Sequence, residues 1–219
     1  MDIRYHLAQS IEDRKAAAKI VQRQYEQSGY TLTESSVDDK MTLFLSKPTS
    51  KTFLGSCGNT PLATVSIIAD SPDGLPLDEL YQDEIDLLRQ KGLRLAEVSQ
   101  LAIDTTLARE LLPEKALKKN ALLFPLFNII LQCGQRDALD MLCIAINPKH
   151  EPFYDALGFE TIGDLKYYAS FNQAPAIAKA LSLHTLSTAS QKSFLYREIA
   201  LTPVDPRVIT GETDFTISL

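Results

Sequence analysis

The chain has no tryptophan, three cysteines, three histidines and three methionines. Cys57, Cys133 and Cys143 are too few for a disulfide framework and show no C-x-x-C spacing. They read as reduced, buried thiols of a cytoplasmic protein. With so few histidines, and no H-E-x-x-H, a zinc site has little support, and so has a Ser/His/Asp or Cys/His constellation. No metal is expected. Positive charge is short as well: 22 Lys and Arg against 28 Asp and Glu give a net charge of -6. That balance argues against non-specific nucleic-acid binding, which needs a positive surface, though it allows a local basic patch. There is no G-x-G-x-x-G, no Walker loop and no G-x-S-x-G. Long hydrophobic runs are absent too. The most apolar stretch, Ala121 to Cys133, is interrupted by Pro125 and Asn128. It falls short of the ~20 residues of a membrane span and reads as a buried helix, so no integral membrane association is expected. Met1 to His6 lacks the apolar centre of a signal peptide.

What is present is an ordinary globular composition, 45% hydrophobic and 23% charged over 219 residues. That suits one domain with an extension. Residues 2–8 read as a short edge strand. Ser10 and Asp13 have capping-box spacing before a helix with Ala16, Ala17, Ile20, Val21 and Tyr25 at helical spacing, and Gly29 is a plausible stop. The polar stretch 31–50 fits a short helix or a loop. Thr52 to Cys57 and Leu62 to Asp70 form a hairpin across Gly58-Asn59-Thr60-Pro61. After the turn-rich Ser71 to Pro76 comes an acidic helix, Leu77 to Gln90, with Leu80, Ile85, Leu87 and Leu88 as apolar positions. Leu95 to Asp104 is an interior strand. A helix begins at Pro113, basic at first, and runs to Cys133. Leu139 to Ile146 is a strand, His150 to Leu157 a short helix, and Phe159 to Ser170 a strand. Residues 173–183 and 188–198 look helical, and the polar tail from Thr202 packs over the surface or frays. The order specifies an α/β fold with a mixed sheet.

Two segments could carry chemistry. In Glu97-Val98-Ser99-Gln100 a carboxylate interrupts an apolar strand, which costs free energy unless it is paired, protonated or facing a cleft. Glu97 and Ser99 share one face, and Gln100 turns the other way unless a bulge reorients it. The bland reading is an edge position with Glu97 in water; the functional one is a general base. The second segment, Asn147 to Phe159, places Tyr154 on a short helix just past a strand's carboxyl end, where open α/β sheets usually bind ligands. By default Tyr154 is a core aromatic, but a phenol can also protonate a leaving thiolate.

The spacing of Asn147, Phe153-Tyr154 and Gly158-Phe159 resembles the last block of the Gcn5-related N-acetyltransferase superfamily. Ser71-Pro72-Asp73-Gly74-Leu75-Pro76, Ala96 to Ile103 and Pro148-Lys149-His150 narrow this to the long-chain N-acyl amino acid synthases, relatives of the acyl-homoserine lactone synthases. Both groups carry Glu-x-Ser-Arg on the central strand, and here Gln100 replaces the Arg. The likeness covers about residues 1–185, an acyltransferase domain, with 186–219 as a C-terminal extension packed on the same domain.

The resemblance implies a three-layer fold with a splayed central sheet and an N-acyltransferase activity. A long-chain fatty acyl group would pass from an acyl carrier protein thioester to the amine of an amino acid. The glycine loop that cradles coenzyme A in ordinary acetyltransferases is missing from Asp104 to Leu112. That favours an acyl carrier protein over acyl-CoA as donor, with no tightly bound cofactor. Glu97 is implied as base, Ser99 as holder of a water or of substrate, and Tyr154 as acid. Gln100, Leu101, Asn147 and His150 would contact substrate, and Leu123, Phe124 and Phe127 the acyl chain. Arg109, Lys115, Lys118 and Lys119 would dock an acidic carrier. Two alternatives stay open: an acyl-homoserine lactone (autoinducer) synthase, and a non-catalytic acyl-carrier or lipid-binding module.

Overall fold

The capping box forms as the sequence specifies. Ser10 Oγ accepts from the Asp13 N–H at 3.0 Å, and Asp13 Oδ2 accepts from the Ser10 N–H at 3.1 Å. It opens α1 (Ile11–Gln27), whose Ala17, Ile20 and Val21 are buried against Leu54 and Ala102. The computed structural model describes residues 1–27, 29, 44–118, 120–169, 172–184 and 193–219. Most of the undecided stretch 31–50 therefore lies outside the described residues.

The strands are β1 (Asp2–Leu7), β2 (Ser50–Cys57), β3 (Thr60–Ala69), β4 (Leu95–Ile103), β5 (Met141–Ile146), β6 (Glu160–Tyr168), β7 (Ala174–Ser182) and β8 (Phe215–Ser218). They build one eight-stranded sheet in the order β6-β7-β5-β4-β3-β2-β1-β8. Every pairing is antiparallel except β4 with β5, which is parallel. The helices α2 (Asp78–Gln90) and α1 cover one face of the sheet. On the other lie α5 (Leu123–Arg136) and α7 (Phe194–Leu201). The result is the three-layer α/β arrangement expected. Between β4 and α5 run two short helices, α3 (Thr105–Leu111) and α4 (Glu114–Lys118). The helix expected to run unbroken from Pro113 to Cys133 is thus two helices. Past β5 a 3-10 turn (Pro148–His150) leads into α6 (Glu151–Ala156).

Three further readings are corrected. Residues 174–182 form β7, not a helix. The run is rich in alanine, which favours helices locally, but here it is used as a strand between β5 and β6. Ala176, Ala178 and Ala180 line up on the α2 side, where small side chains make room for the buried Tyr81. Gly163 does the same on β6, since a Cβ there would lie 2.6 Å from the Tyr81 ring. Second, Leu87 of α2 is 58% exposed, and Tyr81 takes its place with Ile85 and Leu88 in a buried i, i+4, i+7 row.

Third, β1 is not an edge strand. The tail supplies β8, which pairs with it in register Asp2↔Ser218 to Tyr5↔Phe215. Just before, a 3-10 turn (Pro206–Thr210) buries Val208 at 0% and Ile209 at 1% exposure. The tail thus neither frays nor merely overlies the surface. Ile209→Ala is expected to destabilise the fold by about 2–5 kcal/mol, the usual cost of such a truncation in a core. Urea unfolding measures it, and a loss under about 0.5 kcal/mol, typical of a surface site, would mean the tail is not part of the core.

Candidate active site

The site starts from a partial strand pairing. β4 and β5 stay in register only for Leu95↔Met141, Ala96↔Leu142 and Glu97↔Cys143. Beyond these pairs both strands continue without one another, leaving a gap at their carboxyl ends. On its other side β4 remains paired to β3, but the register slips between Thr64↔Ala102 and Ser66↔Ser99. The extra residue is taken up by a bulge in which Gln100 has φ +53°. The bulge reorients Gln100, whose Oε1 accepts from Ser66 Oγ at 3.3 Å. Ser66 in turn shares a hydrogen bond with Thr52 at 2.8 Å. Glu97, Ser99 and Gln100 therefore gather on the α1/α2 face, while Val98 and Leu101 face α5.

Glu97 is 4% exposed on a central strand, so the edge-in-water reading is overturned. Its Oε2 accepts from the Leu77 N–H at 2.7 Å, and the Ser99 hydroxyl hydrogen-bonds the same carboxyl. Burial pushes its pKa up to about 8, against the lowering effect of those two hydrogen bonds. The Leu77 N–H is held in place by the loop before α2. Asp78 Oδ2 accepts from the Leu75 N–H at 2.7 Å, and Arg89 clamps Asp78, Asp70 and Asp86 at 2.7–2.8 Å. Three acids of α2 are paired: Asp78 and Asp86 bind Arg89, and Glu84 binds Lys166 at 2.6 Å.

Tyr154 lies on the opposite face of the sheet. Its ring meets Phe127 at 6.1 Å, Phe153 at 5.3 Å and Phe159 at 5.5 Å, all edge-on. Burial raises its pKa, so the phenol stays protonated. The core-aromatic reading and the acid reading are thus compatible: the ring is packed while the hydroxyl keeps its proton. The helix beneath it is tethered by a residue that sequence reasoning missed. Lys179 of β7 is buried and places Nζ 2.7 Å from Asp155, 2.7 Å from Thr161 Oγ1 and 3.2 Å from Glu151. Burial disfavours its charge, but Asp155 and Glu151 outweigh that and hold the ammonium above its usual range. A lone Lys in an Ala-rich run was the available signal, and a helical reading of that run hid it.

The remaining residues fall into place unevenly. Asn147 ends β5 and caps the following turn, its Oδ1 accepting from the Lys149 N–H at 3.0 Å. His150, exposed in that turn, has its pKa lowered by partial desolvation and by Lys149. Phe127 is buried next to Tyr154, whereas Leu123 and Phe124 are half-buried in the first turn of α5. Arg109 on α3 and Lys115 on α4 are exposed. Both follow the carboxyl end of β4, the end where the gap opens. Lys118 closes α4, and Lys119 lies outside the described residues. Burial pushes the Cys133 and Cys143 thiols up to about 12, which leaves them unreactive, while Cys57 is only half-buried. Among the described residues no group of His, Cys, Asp and Glu could hold a metal, and no helix is long and apolar enough to cross a membrane.

The helix start after β4 differs from a phosphate cradle. Asp104 caps α3, its Oδ1 accepting from the Leu107 N–H at 3.0 Å, and Arg23 of α1 reaches its Oδ2 at 2.8 Å. Burial would raise this carboxyl, but the Leu107 N–H and Arg23 hold it below the usual carboxylate range. The N-terminus of α3 already carries a buried anion.

The eight-stranded mixed sheet with helices on both faces is a fold shared with solved N-acetyltransferases. An N-acetyltransferase from Staphylococcus aureus Mu50 superposes with a TM-score of 0.53, at 15% identity, over 83% of this chain and 98% of its own. An acyl-CoA N-acyltransferase from Pseudomonas aeruginosa gives 0.51 at 9% identity, over 82% and 98%. At such identities the likeness is one of fold. FeeM, an N-acyl amino acid synthase from uncultured soil microbes, is much nearer: TM-score 0.73 and 36% identity, over 88% of this chain and 96% of its own. No curated protein sequence matches the chain. The profile of the N-acyl amino acid synthase FeeM family matches residues 16–182. The chain belongs to that family, and it is an acyltransferase.

Because the folded state raises the Glu97 pKa, proton binding there stabilises the fold. That contribution is full below about pH 4.5 and is lost as pH rises through about 8. Relative to wild type, Glu97→Gln should gain stability progressively over this window and hold a constant difference below it. Urea midpoints of both proteins from pH 4 to 9 measure it. A pH-independent difference would place the carboxyl in water.

Proposed function

We propose that the protein transfers a long-chain fatty acyl group from an acyl carrier protein thioester to the amine of an amino acid. The observation that carries this is the division of labour across the gap. A buried carboxyl stands on one face of the sheet and a protonated phenol on the other, with the unpaired stretch of β4 and β5 between them. The thioester arm enters this gap. The amine nitrogen, on the Glu97 side, attacks the thioester carbonyl carbon and forms the C–N bond. Glu97 takes the proton lost by nitrogen, directly or through a water held by Ser99. Backbone N–H groups of β4 beyond Glu97 stabilise the oxyanion. The C–S bond then breaks, and Tyr154 protonates the departing thiolate before regaining a proton from solvent.

The donor assignment rests on Asp104. A coenzyme A pyrophosphate at the α3 N-terminus would meet a buried carboxylate already served by Leu107 and Arg23. A phosphopantetheine arm lacks that pyrophosphate. Arg109 and Lys115, exposed beyond the same end of β4 with Glu110 and Glu114 beside them, are the cations that would meet an acidic carrier near the gap despite the net charge of -6, and Lys118 and Lys119 extend that run in sequence.

Three measurements check this reading. Glu97→Gln and Tyr154→Phe should each lower acyl transfer by about 10²–10⁴-fold in a product assay by mass spectrometry. In the wild type, kcat/KM should rise with pH up to about 8, where Glu97 ionises, and Glu97→Gln should lose that limb. Wild-type turnover in either folded variant would remove that residue from the chemistry. For the donor, charge reversal at Arg109 and Lys115 should lower kcat/KM several-fold with acyl carrier protein and leave acyl-CoA turnover unchanged. An equal loss with both donors would overturn the docking role.

A further inference from the structure

A small apolar cavity lies under the α5 face. It is lined by Val98 of β4, Phe127 and Ile130 of α5, Phe159 after α6, and Tyr196 and Ile199 of α7. In this structure it is closed down to about 10 Å³, room for one water at most. Phe127 and Phe159 also pack on the Tyr154 ring, so the cavity begins where the thioester would react. A larger hollow of about 780 Å³ lies at the other end of the sheet, among Arg14, Lys51, Arg136, Asp137 and Glu212. Its charged rim is unsuited to an alkyl chain.

The far wall of the small cavity is α7, which follows the residues 16–182 that match the family profile. It is pinned at both ends. Ser193 caps it, its Oγ accepting from the Tyr196 N–H at 3.2 Å and donating to the Ala156 carbonyl at the end of α6. At the other end Asn128 Nδ2 of α5 donates to the Thr202 carbonyl at 2.6 Å. Between these anchors Tyr196 and Ile199 point inward, at 6% and 0% exposure, while Phe194 and Leu201 face out. A wall fixed to the two helices that flank Tyr154 and Phe127 cannot slide away as a chain lengthens. The side chains of the cavity can part for an alkyl chain, but its end would meet Tyr196 and Ile199.

We infer that Tyr196 and Ile199, on a helix contributed by the C-terminal segment, form the floor of the acyl pocket and set the longest chain the enzyme accepts. This rests on the acyl-transfer reading above. Each methylene that finds apolar surroundings favours binding about fourfold. Removing bulk from the floor should therefore shift the preference by multiples of that factor.

The test uses the full chain with saturated acyl thioesters of eight to eighteen carbons in competition, and mass spectrometry of the N-acyl products. In parallel, free fatty acids of the same lengths are titrated by calorimetry. Ile199→Ala should raise the yield of the product two carbons beyond the wild-type optimum about tenfold relative to that optimum. Ile199→Val, a milder cut that keeps the fold, should raise it about fourfold. If wild type makes N-acyl products but neither Ile199 variant alters their lengths, the floor assignment falls and the function stands. If no acyl group is transferred yet the fatty-acid length optimum moves in the variants, the floor stands and the function falls. A wild type that neither transfers acyl groups nor binds fatty acids overturns both.

Discussion

Two neighbouring parallel strands that pair for only three residues set up everything else in this molecule. Sheet hydrogen bonding is cooperative, and an interior strand rarely gives up its partner. Here β4 and β5 do so at Glu97 and Cys143, and the sheet remains whole because β4 keeps β3 and β5 keeps β7. The opening passes through the middle layer of a three-layer protein. Groups from both outer layers can therefore meet one substrate without sharing a face.

That geometry explains how a carboxyl and a phenol can be kept in different protonation regimes. Glu97 sits under α2 with one backbone donor and one hydroxyl, enough to keep it in place but not enough to restore the solvation it has lost. Tyr154 sits among aromatic rings, where its ionised form has no support. Burial raises both pKa values: it brings the carboxyl up to about 8, close to neutral pH, and keeps the phenol protonated. Each is held by charge pairs one layer away. Arg89 with Asp70 and Asp78 fixes the loop that reaches Glu97, and Lys179 with Asp155 and Glu151 fixes the helix that carries Tyr154.

The C-terminal segment belongs to this arrangement as much as the matched region does. β8 covers the edge that β1 would otherwise expose, and the turn before it fills the core with Val208 and Ile209. Unpaired strand edges invite association, so an added strand protects the sheet while its connection packs against α5. The composition of the tail is polar overall, which concealed two short apolar pairs separated by turn residues.

Local signals in the sequence determined much: the capping box at Ser10, the β2–β3 hairpin, the buried strand carrying Glu97, the short helix carrying Tyr154, and the superfamily to which that spacing points. They are legible because a cap, a turn or a period depends on residues within a few positions of each other. The tertiary structure alone decided the rest. An Ala-rich run became β7 because two neighbouring strands offered it hydrogen bonds and Tyr81 needed small side chains opposite. Gln100 turned toward Ser66 because of a bulge whose existence depends on the register with β3. Lys179 became an anchor because its partners lie on α6 and β6, and Asp104 became a resident anion because Arg23 arrives from α1. Such pairings join residues far apart in the chain, and only the folded packing brings them within reach.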